Sequence, residues 1–183
     1  MADLPLDMLL SIEDPFERRL LLAALLQEAV EEKTAIVGGH AVEAYTLGDY
    51  TTGDVDLVVF SKAPVASILQ AWGFAQQGRI YWHEQLGVAV DLIAERLAGD
   101  WGRVVQLEVR GRQAFLIAPE DLIIDRLNAC VRWNSPEHCD WAQRVAERQL
   151  DSLDLPYLER RAAEEGVAEA WQRIVENLDP CAN

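Results

Sequence analysis

An α+β fold is what this sequence predicts: a small mixed sheet flanked by helices, followed by a C-terminal part that is helical throughout. Three observations carry the prediction. Short apolar runs at residues 34–37, 57–60 and 88–93 are too short for helices and suit buried strands. Longer stretches at 14–32 and 119–133 open with helix-start signals and continue with helical spacing. Strand-like segments stop after residue 117, and only helical periodicity follows. The division this implies is a core over residues 1–118, including an N-terminal helix, and a helical part over 119–183.

The chain has 183 residues, half of them hydrophobic, which suits one domain with a small helical annex and is enough for a core. No apolar run reaches the ~18–20 residues a membrane span needs. The N-terminus lacks a basic region before an apolar stretch, so no secretory signal is expected. Cys130, Cys139 and Cys181 make an odd count without a disulfide pattern, which points to a reducing cytoplasm. The formal charge of −15 argues against a broad nucleic-acid surface, which requires clustered Lys and Arg, and leaves a small substrate or a local tRNA contact open.

In chain order, residues 1–13 read as a mixed tail whose apolar residues show no clear period. Asp14 as cap and Pro15 in the first helical position begin a helix expected to reach about Glu32, with Glu28, Glu31 and Glu32 facing solvent. Thr34 to Val37 is the first strand, and Gly38-Gly39 opens a short helix over 39–47. His40, in its first turn, reads as a surface or capping histidine. Residues 48–53 form a turn-rich loop. The next strand starts with Asp54-Val55-Asp56 and runs into Leu57 to Phe60. Pro64 to Trp72 reads as a helix, 74–80 as loop then strand, and Gln85-Leu86-Gly87 as a hairpin turn. Val88 to Ile93 is a second apolar strand with one acid, Asp91. Residues 103–109 and 113–117 form a hairpin turning at Gly111-Arg112, decorated by Glu108, Arg110 and Arg112. Helices follow over 119–133, from Ser135 through Asp140, and over 154–178 with a break at Gly166. Asp179-Pro180 ends the fold. Arg160, Arg161 and Arg173 read as a solvated face. The six tryptophans fit the core or an interface equally well.

The chemistry concentrates in residues 36–59. Two acids one residue apart in a strand point to the same face. In so apolar a strand they are costly unless paired, and a divalent cation is one such partner. Asp91 repeats the pattern in a second apolar strand. Gly38-Gly39 lets the backbone approach a bulky anion at a helix start, where amides and dipole favour phosphate. The competing reading makes Asp54 and Asp56 exposed edge-strand acids and Asp91 a strand-end residue in a turn; with 31 acidic residues, an Asp-x-Asp arises easily by chance. Zinc is not expected at Cys130, His138 and Cys139, because paired Cys-x-x-Cys elements are missing.

The glycine pair after a strand, the short helix and the Asp-x-Asp of the next strand resemble the nucleotidyltransferase superfamily, with its polymerase-beta-like fold. Features further along resemble its AbiEii-type toxin branch and uncharacterised relatives. The resemblance covers roughly residues 34–150. It implies a Mg²⁺-dependent enzyme, with Mn²⁺ as a substitute, that moves a nucleoside monophosphate from an NTP such as ATP to a hydroxyl on RNA, protein or a small molecule. It implies Asp54, Asp56 and Asp91 as metal-holding catalytic carboxylates. It implies Gly38, Gly39, Thr52 and Arg126 at the phosphates, with Asp140 orienting Arg126. Related toxins commonly act on tRNA, and an antitoxin or a second copy of the chain would be the partner. The chain departs from the branch twice: Tyr50 stands where an Arg is usual, and Arg126-Leu127-Asn128-Ala129 replaces a Lys-Leu-x-Ala element. Arg126 keeps the charge and can grip phosphate but cannot serve as a base. Those departures open a second reading, a binding or regulatory module with weak or lost transfer activity.

Overall fold

One seven-stranded mixed sheet organises the chain, and β-branched and apolar residues at its centre explain its burial. The computed structural model describes residues 3–30 and 32–178. Its strands are β1 (Thr34–Ile36), β2 (Asp54–Val59), β3 (Ala75–Gln77), β4 (Ile80–His83), β5 (Val88–Ala94), β6 (Val105–Val109) and β7 (Arg112–Leu116). They lie in the order β3-β4-β5-β2-β1-β7-β6. β2 pairs parallel with β5 and antiparallel with β1, while β1 pairs parallel with β7. Val55, Leu57, Val58 and Val59 of β2 and Val88, Val90 and Leu92 of β5 are buried, so these two central strands carry the middle of the core.

The helices are α1 (Leu6–Leu10), α2 (Pro15–Ala29), α3 (Gly38–Tyr45), α4 (Lys62–Ala71), α5 (Pro119–Trp133), α6 (Pro136–Gln149), α7 (Leu155–Glu165) and α8 (Ala168–Leu178). Asp14 caps α2 by accepting from the Phe16 amide at 2.9 Å. Leu20 through Leu26 are all buried, so α2 is enclosed on every side where it crosses the sheet. It packs on β7, β6 and β2, with α1 and α4 beside it. The residues expected to form a loose tail therefore have a structural role: α1 seals α2, and Leu9 and Ile12 are fully buried. α2 ends at Ala29, earlier than expected, where the backbone turns extended at Val30. Glu31 lies outside the described residues, as does the expected end of the fold at Asp179-Pro180.

Residues 74–83 form a hairpin, β3 and β4, rather than one loop and one strand; Gly78 takes the positive φ its turn requires. The later hairpin turns at Arg110-Gly111, and Arg110 and Arg112 reach back to α2 through Glu17 and Glu28. Helices α5 to α8 pack on one another, and α3 bridges them to β2. Buried Asp121 ties this part to the loop after β5: it accepts from the Asp100 amide at 2.9 Å and from the Tyr157 hydroxyl at 2.8 Å. Arg161 also reaches Asp121, at 3.6 Å, so it is an anchor of α7 and not part of a solvated face. Gly166, in the left-handed conformation, separates α7 from α8.

Cys130 and Cys139 correct the expectation of unpaired thiols. They form a disulfide between α5 and α6, their Cα atoms 5.2 Å apart. The helical hairpin places the two side by side across a spacing that carries no sequence signature of its own. Among the described tryptophans, Trp72 and Trp171 are buried, whereas Trp82 and Trp133 are exposed. No helix of the described residues is long and apolar enough to cross a membrane.

Candidate active site

Parallel pairing of β2 with β5 assembles the carboxylates. Asp56 is the register partner of Asp91, and Asp54 lies two residues from Asp56 along the same strand. All three therefore share one face of the sheet. Asp91 is 5% exposed, and its Oδ1 has no hydrogen-bond partner. Its Oδ2 accepts from Arg79 Nε at 2.9 Å. Asp54 accepts from the Thr52 hydroxyl. Asp56 accepts from the Gly39 amide at 2.9 Å.

That last bond explains the glycine pair. Gly38 has φ +57°, and a Cβ there would stand 1.9 Å from Asp56 Oδ2. A Cβ at Gly39 would meet the Tyr50 hydroxyl at 3.0 Å and Thr52 Oγ1 at 3.4 Å. The absent side chains thus let the first turn of α3 lie against the carboxylate strand, under the loop that carries Tyr50 and Thr52.

Electrostatics mark the same place. The Asp56 carboxyl is pushed up to about 6. Burial is the main cause; the Gly39 amide opposes it, Asp54 and Asp91 add to it, and Arg126 pulls it back. Tyr50 is also raised, by burial first and then by Asp54, with Arg126 opposing. Arg126 therefore acts on both Asp56 and Tyr50 from α5. Its guanidinium bonds to neighbouring Asp125, at 3.1 Å from Nε.

Asp140 does not orient Arg126. It is exposed and lines a separate crevice with Cys139, Gly166 and Arg173. Successive residues on a helix point about 100° apart, and here Trp141, not Asp140, turns inward onto Tyr50, with ring centroids 4.8 Å apart.

His40 also departs from expectation. It is buried, with Nδ1 3.4 Å from both Arg19 Nε and Glu43 Oε2. Arg19 donates to Glu43 at 2.6 Å, completing a closed ionic cluster beneath α3. Burial holds the imidazole below its usual pKa, so it is neutral at pH 7. Glu43, the one acid of the short α3, was the available signal for the Arg19–Glu43 pair. Arg79 had none, since only the β4–β5 register brings it to Asp91.

Three hard oxygen donors on one face fit a divalent cation of the magnesium type. Asp91 Oδ1, buried and without a hydrogen-bond partner, is one donor such an ion would use. As oriented here each carboxylate is turned to its own protein partner, and among the described residues no three side chains converge into a ready metal set. Beside Thr52 opens a cavity of about 610 Å³, lined by Phe16, Arg19, Glu43, Leu47 and Thr51 among others.

No family profile and no curated protein matches the chain. Solved structures do. An antigenic nucleotidyltransferase-like protein from Paracoccidioides brasiliensis matches with a TM-score of 0.60 at 15% identity, over 87% of this chain and 93% of that one. The antibiotic-resistance factor ANT(2'')-Ia in solution matches at 0.52 and 16% identity, over 86% and 96% of the two chains. The same factor in complex with adenylyl-2''-tobramycin matches at 0.53 and 18%, over 80% and 95%. These are similarities of architecture at low sequence identity. The chain has the nucleotidyltransferase-like fold that these proteins share.

Proposed function

We propose that this protein transfers a nucleoside monophosphate from an NTP to an acceptor hydroxyl. The observation that carries the reading is the shared face of Asp54, Asp56 and Asp91 with the Gly38-Gly39 turn held against it. The fold, common to proteins described as nucleotidyltransferases, supports it.

The reaction forms a bond between the acceptor oxygen and the α-phosphorus, and breaks the bond from that phosphorus to the bridging oxygen. Pyrophosphate leaves. The α3 N-terminus offers amides and dipole to the phosphates, and Arg126 adds charge from α5. Asp54 and Asp56 would hold magnesium, and Asp91 would complete the set and take the acceptor proton. Bound there, the ion supplies charge neutralisation for the triphosphate. Tyr50, packed edge-on against Trp141, lies beside the Gly39 turn.

The acceptor best suited to this chain is a small molecule. The cavity beside Thr52 is the size of a small-ligand site, though it touches the proposed site through Thr52 and not through the carboxylates, and the charge of −15 disfavours RNA. One neighbour is bound to adenylylated tobramycin, a small-molecule product, which supports the same class. The AbiEii-type resemblance rests on sequence motifs alone. A toxin role would show as growth arrest on expression that Asp54→Asn abolishes.

The test is the melting temperature with each NTP, with and without Mg²⁺, beside an Asp54→Asn/Asp56→Asn variant, followed by pyrophosphate release. A Mg²⁺-dependent rise of several degrees for one NTP, absent in the variant and accompanied by turnover, is expected. Binding without turnover selects the regulatory-module reading that Tyr50 and Arg126 motivate. No binding of any NTP refutes the nucleotide reading altogether.

A further inference from the structure

Of the three carboxylates on the β2–β5 face, only Asp91 is held by a full charge. Asp54 is met by a hydroxyl and Asp56 by a backbone amide, both neutral. Among the described residues Asp91 pairs with one cation, Arg79, whose Nε lies 2.9 Å from Oδ2. The difference matters to a metal ion. A carboxylate has about four lone-pair sites, so a neutral donor and an ion can share it. An arginine and a divalent ion on one carboxylate repel each other. Geometry sharpens the conflict. Asp91 Oδ1 is shielded from solvent and Oδ2 is engaged by Arg79, so the carboxylate as it stands offers no free, accessible oxygen. It has to turn before it can coordinate alongside Asp54 and Asp56, and turning breaks the bond to Arg79.

Arg79 is placed to let go. Its backbone is fixed: Gly78 makes the β3–β4 turn in front of it, and its carbonyl accepts from the Leu92 amide at 3.2 Å, one residue beyond Asp91. Its next neighbour, Ile80, is the register partner of Asp91 across the β4–β5 ladder. The side chain, by contrast, is 63% exposed, and among the described residues its guanidinium makes no other ion pair or hydrogen bond. A swing of that side chain alone frees Asp91. An exposed arginine loses little by leaving, because water solvates it again. Asp91 cannot do without a counter-charge so easily: it is 5% exposed, and a buried carboxylate without a partner is strongly destabilising.

We propose that Arg79 is an exchangeable counter-ion of the carboxylate face. It neutralises Asp91 before an ion binds, and binding replaces the Arg79–Asp91 hydrogen bond with coordination of Asp91 to the ion. The inference rests on the carboxylate reading above and adds a positioning residue to it. Arg79 sets how much divalent ion is needed before Asp91 joins Asp54 and Asp56, and it keeps the buried carboxylate paired until then.

The probe is Mn²⁺, with the free ion counted by electron paramagnetic resonance at physiological salt. The proteins are wild type, Arg79→Gln, Arg79→Lys, Asp91→Asn and the double variant Arg79→Gln/Asp91→Asn. Arg79→Gln should bind Mn²⁺ about tenfold more tightly than wild type, the worth of one charged hydrogen bond that the ion no longer has to break. Damage to the hairpin would weaken binding instead. Arg79→Lys keeps the charge and should stay near wild type. In the Asp91→Asn background the gain from Arg79→Gln should vanish, whereas a general loss of positive field would persist there. Equal or weaker binding by Arg79→Gln, or a gain as large in Arg79→Lys or in the Asp91→Asn background, overturns the exchange and leaves the nucleotide reading in place. If Asp91→Asn takes up Mn²⁺ as well as wild type and Arg79→Gln do, Asp91 is no ligand, and the metal assignment falls with the inference.

Discussion

Replacing Asp56 with Asn should stabilise the protein while disabling it. The carboxyl rises from 3.8 to about 6 on folding, chiefly through burial, with Asp54 and Asp91 contributing. A raised carboxyl pKa means that the folded state binds the proton more tightly than the unfolded state. The ionised form therefore destabilises folding above pH 6, and the penalty is relieved as pH falls through 6 towards 4. Two units at 1.36 kcal/mol each give about 3 kcal/mol at pH 7.5. Asparagine keeps an acceptor for the Gly39 amide and removes the charge. Asp56→Asn should then exceed wild type by about 3 kcal/mol at pH 7.5, and by about 1.5 kcal/mol at pH 5, where wild type is largely protonated. Urea unfolding of both proteins in EDTA at the two pH values measures this. The general repulsion among 31 acids and 16 bases acts on both proteins and cancels in the difference. Equal stability at pH 7.5, or a gap that does not narrow at pH 5, would refute the reasoning. Adding Mg²⁺ should raise wild type and leave the variant unmoved.

Two further outcomes concern the scaffold. Arg19→Met leaves Glu43 charged and buried beneath α3 and should cost about 3–5 kcal/mol, most of it regained in Arg19→Met/Glu43→Leu; urea unfolding reads both. Reducing the Cys130–Cys139 bridge frees a loop with a sequence separation of 9 residues and should lower stability by about 2.5 kcal/mol, with two additional thiols titrating after dithiothreitol treatment.

The part of the site legible in the sequence was the part held by the backbone. Gly38-Gly39 and Asp-x-Asp are fixed by a φ sign, a strand period and a close approach, all of which leave local traces. Asp91 was legible as an acid in an apolar strand, though its pairing with Asp56 is a matter of register between two strands far apart in sequence. His40 was misplaced because a histidine in a first helical turn looks the same whether α2 covers it or not. Asp140 was misplaced by a single helical step, since the position after it turns onto Tyr50. The disulfide escaped for the same reason as Arg79: both depend on how two elements fold back on each other. The tail 1–13 escaped because five helical residues are too few to show a period.

The two departures from the AbiEii-type pattern that the motifs resemble, Tyr50 and Arg126, are best understood together. The pattern puts a cation on the loop before the Asp-x-Asp; this chain puts an aromatic ring there and packs it on Trp141. Arg126 on α5 lies near enough to bias both Tyr50 and Asp56, so a positive charge still reaches the carboxylate face, from the other wall. Relocation of the charge, rather than its loss, predicts a rescue. Arg126→Met should weaken NTP binding about 10–100-fold, the worth of a charged hydrogen bond to phosphate. Tyr50→Arg in that background should restore much of the affinity, whereas Tyr50→Phe should not. Calorimetric titration of the three variants decides it. Restoration makes the two positions alternative seats for one phosphate-binding cation. No gain from Tyr50→Arg would mean that the loop does not face the phosphates; no loss in Arg126→Met would mean that Arg126 serves Asp125 and the helix alone.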